Sequence, residues 1–195
     1  MKVIDISAWQ ENIDWQAVKD AGIEGVIIKI GEGTNLDEMF FEHVNNAVNY
    51  GLKYGVYYYA HANSIDEARR EAYTVDQWLK TYIRGENPAL GIWYDAEDNS
   101  MLEGINNVVY PIANFIHTMR EIGYNYVGLY SYYNWLINVI DLEPLPKDVP
   151  IWSAQYGYSE NSFAVENPNR ICRIWQYTDC EQIGDMKLDC NIYYE

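Results

Sequence analysis

Basic residues are scarce in this chain. Thirteen Lys and Arg stand against 29 Asp and Glu in 195 residues, for a formal net charge of −16. Nucleic acid needs a basic footprint to neutralise phosphates, and an anionic lipid surface asks for the same, so both partners are excluded. Six Pro and 13 Gly rule out a collagen-like or low-complexity chain. No run of about 18 apolar residues is present, so nothing is expected to insert in a membrane. The only cysteines, Cys172, Cys180 and Cys190, fall in the last quarter. Their odd count and lack of a CxxC exclude a disulfide framework and a zinc ribbon. Reduced, partly buried thiols are expected, with at most one bridge. His43, His61 and His117 share no metal spacing, His117 reads as a helix-surface residue, and no Ser-His-Asp or Cys-His signature stands out. No metal and no cofactor are therefore expected. The opening MKVID meets an acid too early for a signal peptide, so synthesis in the cytoplasm without a leader is expected.

What is abundant is apolar and aromatic. Hydrophobic residues reach 49%, enough for a real core, and 7 Trp with 19 Tyr supply flat faces that suit sugars as well as packing. No repeat, linker or charge block divides the chain, so residues 1–195 read as a single domain.

Short β-rich runs alternate with helical patterns. Residues 2–7, 26–30, 53–59, 90–94 and 126–130 read as strands. Helices follow near 14–21, 39–50, 65–79, 109–119 and, weakly, 133–140. The third carries a capping box, Ser64-Ile65-Asp66-Glu67, before an apolar face of Ile65, Ala68, Ala72, Val75 and Leu79. After Pro150 the helical pattern stops, and 151–155, 171–177 and 188–193 read as bare strands. Alternating βα units imply a parallel sheet, and eight strands suffice to close it. A doubly wound sheet usually carries a Gly-rich phosphate turn after its first strand, whereas Asp5-Ile6-Ser7-Ala8-Trp9 has no glycine there. The expected class is α/β, a TIM-like barrel with five βα units and three plain strands.

In such a barrel the chemistry sits at the C-terminal ends of the strands. Asp5 lies there on the first strand, and Asp95 and Glu97 on the fourth. An i, i+2 pair shares one face, with Cα atoms roughly 6.5–7 Å apart. Two carboxylates so close tend to split their pKa values, leaving one proton donor and one fixed negative charge, which is what glycosidic bond cleavage requires. The plainer alternative is that these acids open a solvated loop. Trp93 and Tyr94 beside them favour a sugar cleft.

The residues resemble the glycoside hydrolase family 25 muramidases, a family of lysozymes that includes phage endolysin catalytic domains. The resemblance runs from Ile4-Asp5-Ile6-Ser7, Trp9-Gln10 and Ile13-Asp14-Trp15 through Val26-Ile27-Ile28-Lys29 and Gly31-Glu32-Gly33. It continues with Gly55-Val56-Tyr57-Tyr58-Tyr59-Ala60-His61 and Asp95-Ala96-Glu97. It closes with Ile151-Trp152-Ser153-Ala154-Gln155-Tyr156, Ile174-Trp175-Gln176-Tyr177-Thr178 and Leu188-Asp189-Cys190-Asn191.

That resemblance implies hydrolysis of the β-1,4 bond between N-acetylmuramic acid and N-acetylglucosamine in peptidoglycan. Glu97 would be the general acid and Asp95 its partner, stabilising positive charge or orienting the substrate acetamido group. Asp95 is expected to stay ionised, and of direct carboxylate attack and assistance by the acetamido group, assistance is favoured, because Asp95 and Glu97 project from one side of one strand. Asp5 and Asp189 would complete an acidic floor. Trp9, Tyr58, Trp93, Gln155 and Trp175 stand as candidate sugar contacts, although Trp152 and Trp175, lying within strands, equally suit core packing. His61 is expected near the cleft mouth. The tyrosine-rich third strand and a contracted segment at 180–187 depart from the family pattern. For Asp189 to join the other acids, the last strand must run antiparallel to its neighbours, because the short connection before it cannot make a parallel crossover. The expected protein is a monomeric phage or prophage lysin acting on wall glycan strands; the alternative is a barrel that binds glycan or an envelope partner without cutting.

Overall fold

The structure, a computed structural model, describes residues 1–103 and 107–194. The first half alternates strand and helix: β1 (Lys2–Ile6), α1 (Trp15–Asp20), β2 (Gly25–Glu32), β3 (Asn35–Leu36), α2 (Phe40–Asn49), β4 (Lys53–Tyr59) and α3 (Ile65–Ile83). The second half continues with β5 (Ile92–Asp95), α4 (Val109–Ile122), β6 (Val127–Tyr132), α5 (Tyr133–Asn138), β7 (Ile151–Ala154), α6 (Ser162–Glu166), β8 (Cys172–Ile183) and β9 (Met186–Tyr193). The spatial order β1-β9-β8-β7-β6-β5-β4-β2, with β1 also paired to β2, closes an eight-stranded barrel; β3 only folds back on the end of β2.

Strands β1 to β8 of the barrel pair in parallel, and β9 runs antiparallel to both β8 and β1. The antiparallel last strand agrees with the expectation drawn from its short connection. Five βα units precede the plain strands, but α6 is an addition to the expected pattern. It is five residues long, started by the Asn161 side chain accepting from the Ala164 N–H, and too short to display a helical period. The strands flanking 180–187 are longer than expected: β8 extends to Ile183 and turns into β9 with Ile183 opposite Met186, so the segment forms a tight hairpin.

Helix α3 begins where the capping box placed it, with Ser64 Oγ accepting from the Glu67 N–H. Ala68, Ala72, Val75 and Leu79 are buried against the barrel, while Ile65 stays 39% exposed at the first turn. Strand alternation then sorts the core into two layers. Ile4, Ile28, Val56, Ile92, Leu129 and Ile151 point outward beneath the helices. Val3, Ile27, Trp93, Trp152 and Ile174 point inward and fill the lower barrel. Trp93 fits because its register partner on β6 is Gly128, where a Cβ would lie 2.5 Å from the indole ring. With the bottom plugged, the barrel is hollow at its upper end.

Candidate active site

The inward-facing positions just above that plug are polar. They enclose a cavity of about 210 Å³ lined by Asp5, Asp95, Glu97 and Asp189, with Gln176, Lys29 and a ring of tyrosines. Asp95 is the last residue of β5. The ladder continues past it, Ala96 N–H donating to the Tyr130 carbonyl at 3.0 Å and the Ser131 hydroxyl to the Ala96 carbonyl at 2.5 Å. That holds Glu97 in extended register, so the i, i+2 pair shares the inward face. Asp189 arrives from the opposite direction on β9, directly across from Asp5. A wider surface depression of about 720 Å³ beside α5 and the approach to β8 contains none of these acids.

Burial dominates the electrostatics. It lifts Asp5 from 3.8 to about 6, against the opposing hydrogen bonds from Asn191 and Gln176. It lifts Glu97 to about 7, with the Tyr132 hydroxyl opposing and the Asp5 and Asp98 charges adding. Asp189 rises to about 8, through burial and then the charges of Asp5, Asp179 and Glu97. Asp95 is pushed well above its ordinary value by burial, then by Glu97 and Asp5, with only Lys29 pulling it down. Lys29 is the one cation lining the cavity among the described residues, and its ammonium is already paired with Glu32 at 2.6 Å.

Four acids around one largely committed cation cannot all ionise near neutrality, so protons are shared among them. Burial and its acidic neighbours thus work against the charge that the sequence reading assigns to Asp95. Its Oδ1 is buried without a hydrogen-bond partner among the described residues, as is Glu97 Oε2. Asp5, by contrast, accepts from Gln176 Nε2 at 2.9 Å and Asn191 Nδ2 at 2.8 Å.

Of the candidate sugar contacts, Trp9 and Trp152 line the cavity, and Trp9 is 89% exposed on the loop after β1. Tyr58 is fully buried on the outer face of β4, its ring stacked over Tyr94 and Phe115 and its hydroxyl donating to the Gly33 carbonyl. The inward residues of that strand are Tyr57 and Tyr59. Trp93 has the inward phase but lies one layer too deep, in the plug, with its indole N–H on the Leu90 carbonyl at 2.8 Å. Gln155 and Trp175 support local structure instead. Gln155 Oε1 accepts from the Ser162 N–H at the start of α6, and Trp175 Nε1 donates to the Gln155 carbonyl at 3.0 Å. Trp152 touches the cavity floor from the plug.

Sequence reasoning missed Tyr57, Tyr59, Tyr130, Tyr132, Tyr156 and Gln176 as lining residues. The available signal was their even spacing from neighbouring inward positions. His61 packs edge-on against Tyr59 at the rim, ring centroids 5.1 Å apart, outside the cavity lining. His117 lies on the surface of α4 beside Glu121. All three cysteines are free.

A closed β/α barrel with an acidic, tyrosine-walled cavity at the strand ends is the architecture of a glycoside-cleaving class. The sequence matches Glycosyl hydrolases family 25 over residues 4–186, and the chain belongs to that family. It is 32% identical over 161 residues to the autolytic lysozyme of Clostridium acetobutylicum, covering 82% of this chain and 46% of that protein. The fold superposes on the modular autolysin LytC from Streptococcus pneumoniae with TM-score 0.84 and 28% identity, covering 99% of this chain and 46% of that one. The same autolysin in complex with a synthetic peptidoglycan ligand gives TM-score 0.82. The catalytic domain of endolysin ply40 from bacteriophage P40 of Listeria monocytogenes gives TM-score 0.80 at 26% identity, covering 100% of this chain and 93% of that one. The chain thus spans about half the length of the first curated relative it matches. Among the described residues, no helix is long and apolar enough to cross a membrane.

Proposed function

We propose that residues 1–195 form one catalytic barrel that cleaves the β-1,4 bond from N-acetylmuramic acid to N-acetylglucosamine in peptidoglycan. The observation that carries this is the gathering of Asp5, Asp95, Glu97 and Asp189 on one cavity, with Glu97 at about 7. A carboxyl in that range is still protonated near neutrality and can hand its proton to a leaving sugar oxygen. Glu97 is accordingly the general acid.

The second step is assigned to the substrate's own acetamido group, steadied by Asp95, an exception that the two-carboxylate scheme admits. Asp95 and Glu97 project from one side of one strand, whereas a direct nucleophile must reach the opposite face of the sugar ring. Trp9 and the rim residues Tyr132 and Tyr156, all exposed, supply flat surfaces for the glycan. The protein acts as a monomer on wall glycan strands, as a lysin of the phage or prophage kind. The peptidoglycan bound by the related LytC structure supports the substrate class.

The test is digestion of purified peptidoglycan, with mass analysis of the new reducing end. N-acetylmuramic acid there supports the assignment. N-acetylglucosamine at that end contradicts the bond, and binding without cleavage returns the non-catalytic barrel.

A further inference from the structure

Trp152 and the two tyrosines over Gln176 begin hydrogen-bond chains that meet on one carboxyl. The Trp152 indole N–H can only donate, and it donates to Asn191 Oδ1 at 2.8 Å. That fixes the Asn191 amide, whose Nδ2 then donates to the Val3 carbonyl at 3.2 Å and to Asp5 Oδ2 at 2.8 Å. On the other side, Gln176 Oε1 accepts from the Tyr130 hydroxyl at 3.0 Å and the Tyr156 hydroxyl at 2.7 Å. Its Nε2 is left facing Asp5 Oδ2 at 2.9 Å and Asp189 Oδ2 at 3.3 Å. Reversing either amide would set a carbonyl oxygen against a carboxylate. Both amides are buried, so no bulk water competes for these bonds.

We propose that Gln176 and Asn191 are positioning residues that make Asp5 the standing carboxylate of the cavity, leaving the shared protons to Asp95, Glu97 and Asp189. The other groups around Asp5 offer it no comparable help. Asp189 faces it from β9, Asp95 and Glu97 from β5 and its extension, Tyr57 from β4, Tyr130 from β6 and Tyr156 from beyond β7, while Cys190, next on β9, lies in the outer layer opposite Ile4. Lys29 on β2, the lining cation, is paired with Glu32. Among the described residues, Asp5 alone of the four acids receives two side-chain N–H donors. In the proposed reaction the fixed negative charge opposite the general acid is then carried by Asp5, and Asp95 is free to exchange a proton with the substrate acetamido group. This deepens the muramidase reading and rests on it for the kinetic consequence alone.

The experiment is a carboxyl-resolved NMR titration of the whole chain, as wild type, Gln176→Met and Tyr156→Phe. In wild type Asp5 should titrate below the other three acids. Losing a charge-assisted N–H bond should raise its midpoint by roughly one unit or more in Gln176→Met. Tyr156→Phe removes only one hydroxyl from a partly exposed position and should move it the same way by less. On purified walls, Gln176→Met should shift the acid limb of the pH profile upward and lower kcat with KM kept. Asp5 titrating above Asp95 or Asp189 in wild type, or staying unmoved in Gln176→Met, overturns the proposal. Should Gln176→Met fail to fold, an unmoved Asp5 in Tyr156→Phe does so. If wild type leaves walls uncut while Asp5 still titrates lowest and responds to the variants, the positioning role stands and the muramidase reading falls.

Discussion

Asp5 and Asp189 are direct register partners across the antiparallel β1–β9 pair. Like charges placed opposite each other in a ladder are destabilising, and these two are also withdrawn from water. The pair persists because Gln176 bridges both carboxyls from β8. Such a cluster spends folding stability on chemistry, and the following outcomes test that division.

Glu97→Gln keeps the shape of the side chain and removes the transferable proton. Wall cleavage should fall roughly 10²–10⁴-fold, the usual worth of a general acid, with an unchanged far-UV spectrum and retained glycan binding. Asp95→Asn should also cripple turnover, and neither variant should accumulate a glycosyl–enzyme adduct. A covalent sugar on Asp5, Asp95 or Asp189 in intact-protein mass spectra would sink the assisted route alone.

The raised acids set the direction of the pH–stability curve. Asp5 at about 6 and Asp189 at about 8 both sit above their ordinary 3.8, and Glu97 at about 7 sits above 4.5. Groups raised on folding favour the folded state fully below their unfolded values and lose that contribution as pH climbs through the folded ones. The melting temperature should therefore decline between pH 4 and 8, measured by calorimetry, and Asp189→Asn should restore at least about 2 °C at pH 8. A melting temperature that rises across this interval would contradict the burial argument.

Trp9 and Trp93 should separate binding from packing. Trp9 is 89% exposed and Trp93 is wholly buried. Trp9→Ala should leave the melting temperature within about 1 °C and raise KM for soluble glycan about tenfold, the loss of one stacking platform. Trp93→Ala should empty the barrel plug and cost roughly 3–5 kcal/mol in urea unfolding. Equal effects of the two on KM would return Trp93 to the list of sugar contacts.

The net charge of −16 opposes approach to a wall bearing anionic polymers. Added salt shortens the Debye length to about 10 Å at 0.1 M, so the rate of wall clearing should rise from very low to moderate ionic strength. A steady fall over the same range would mean that local basic patches steer the encounter.

Sequence alone determined the strand-and-helix alternation up to Pro150 and the acids at the strand ends, but not the five-residue α6 beyond it. These are local properties: period, capping and the end of an apolar run. The antiparallel β9 was legible too, because chain length limits a crossover. Side-chain depth was not. In Tyr57-Tyr58-Tyr59 the residue type is constant, and only the pairing of Tyr59 with Asp95 fixes which rings face the cavity. Trp93 has the same phase as Asp95 yet sits one pleat lower, in the plug beside Gly128. Asp5 owes its charge-favouring surroundings to Gln176 and Asn191, 171 and 186 residues away in the chain. Closure of the barrel brings them together, and with them the dielectric and the hydrogen bonds that decide where each proton rests.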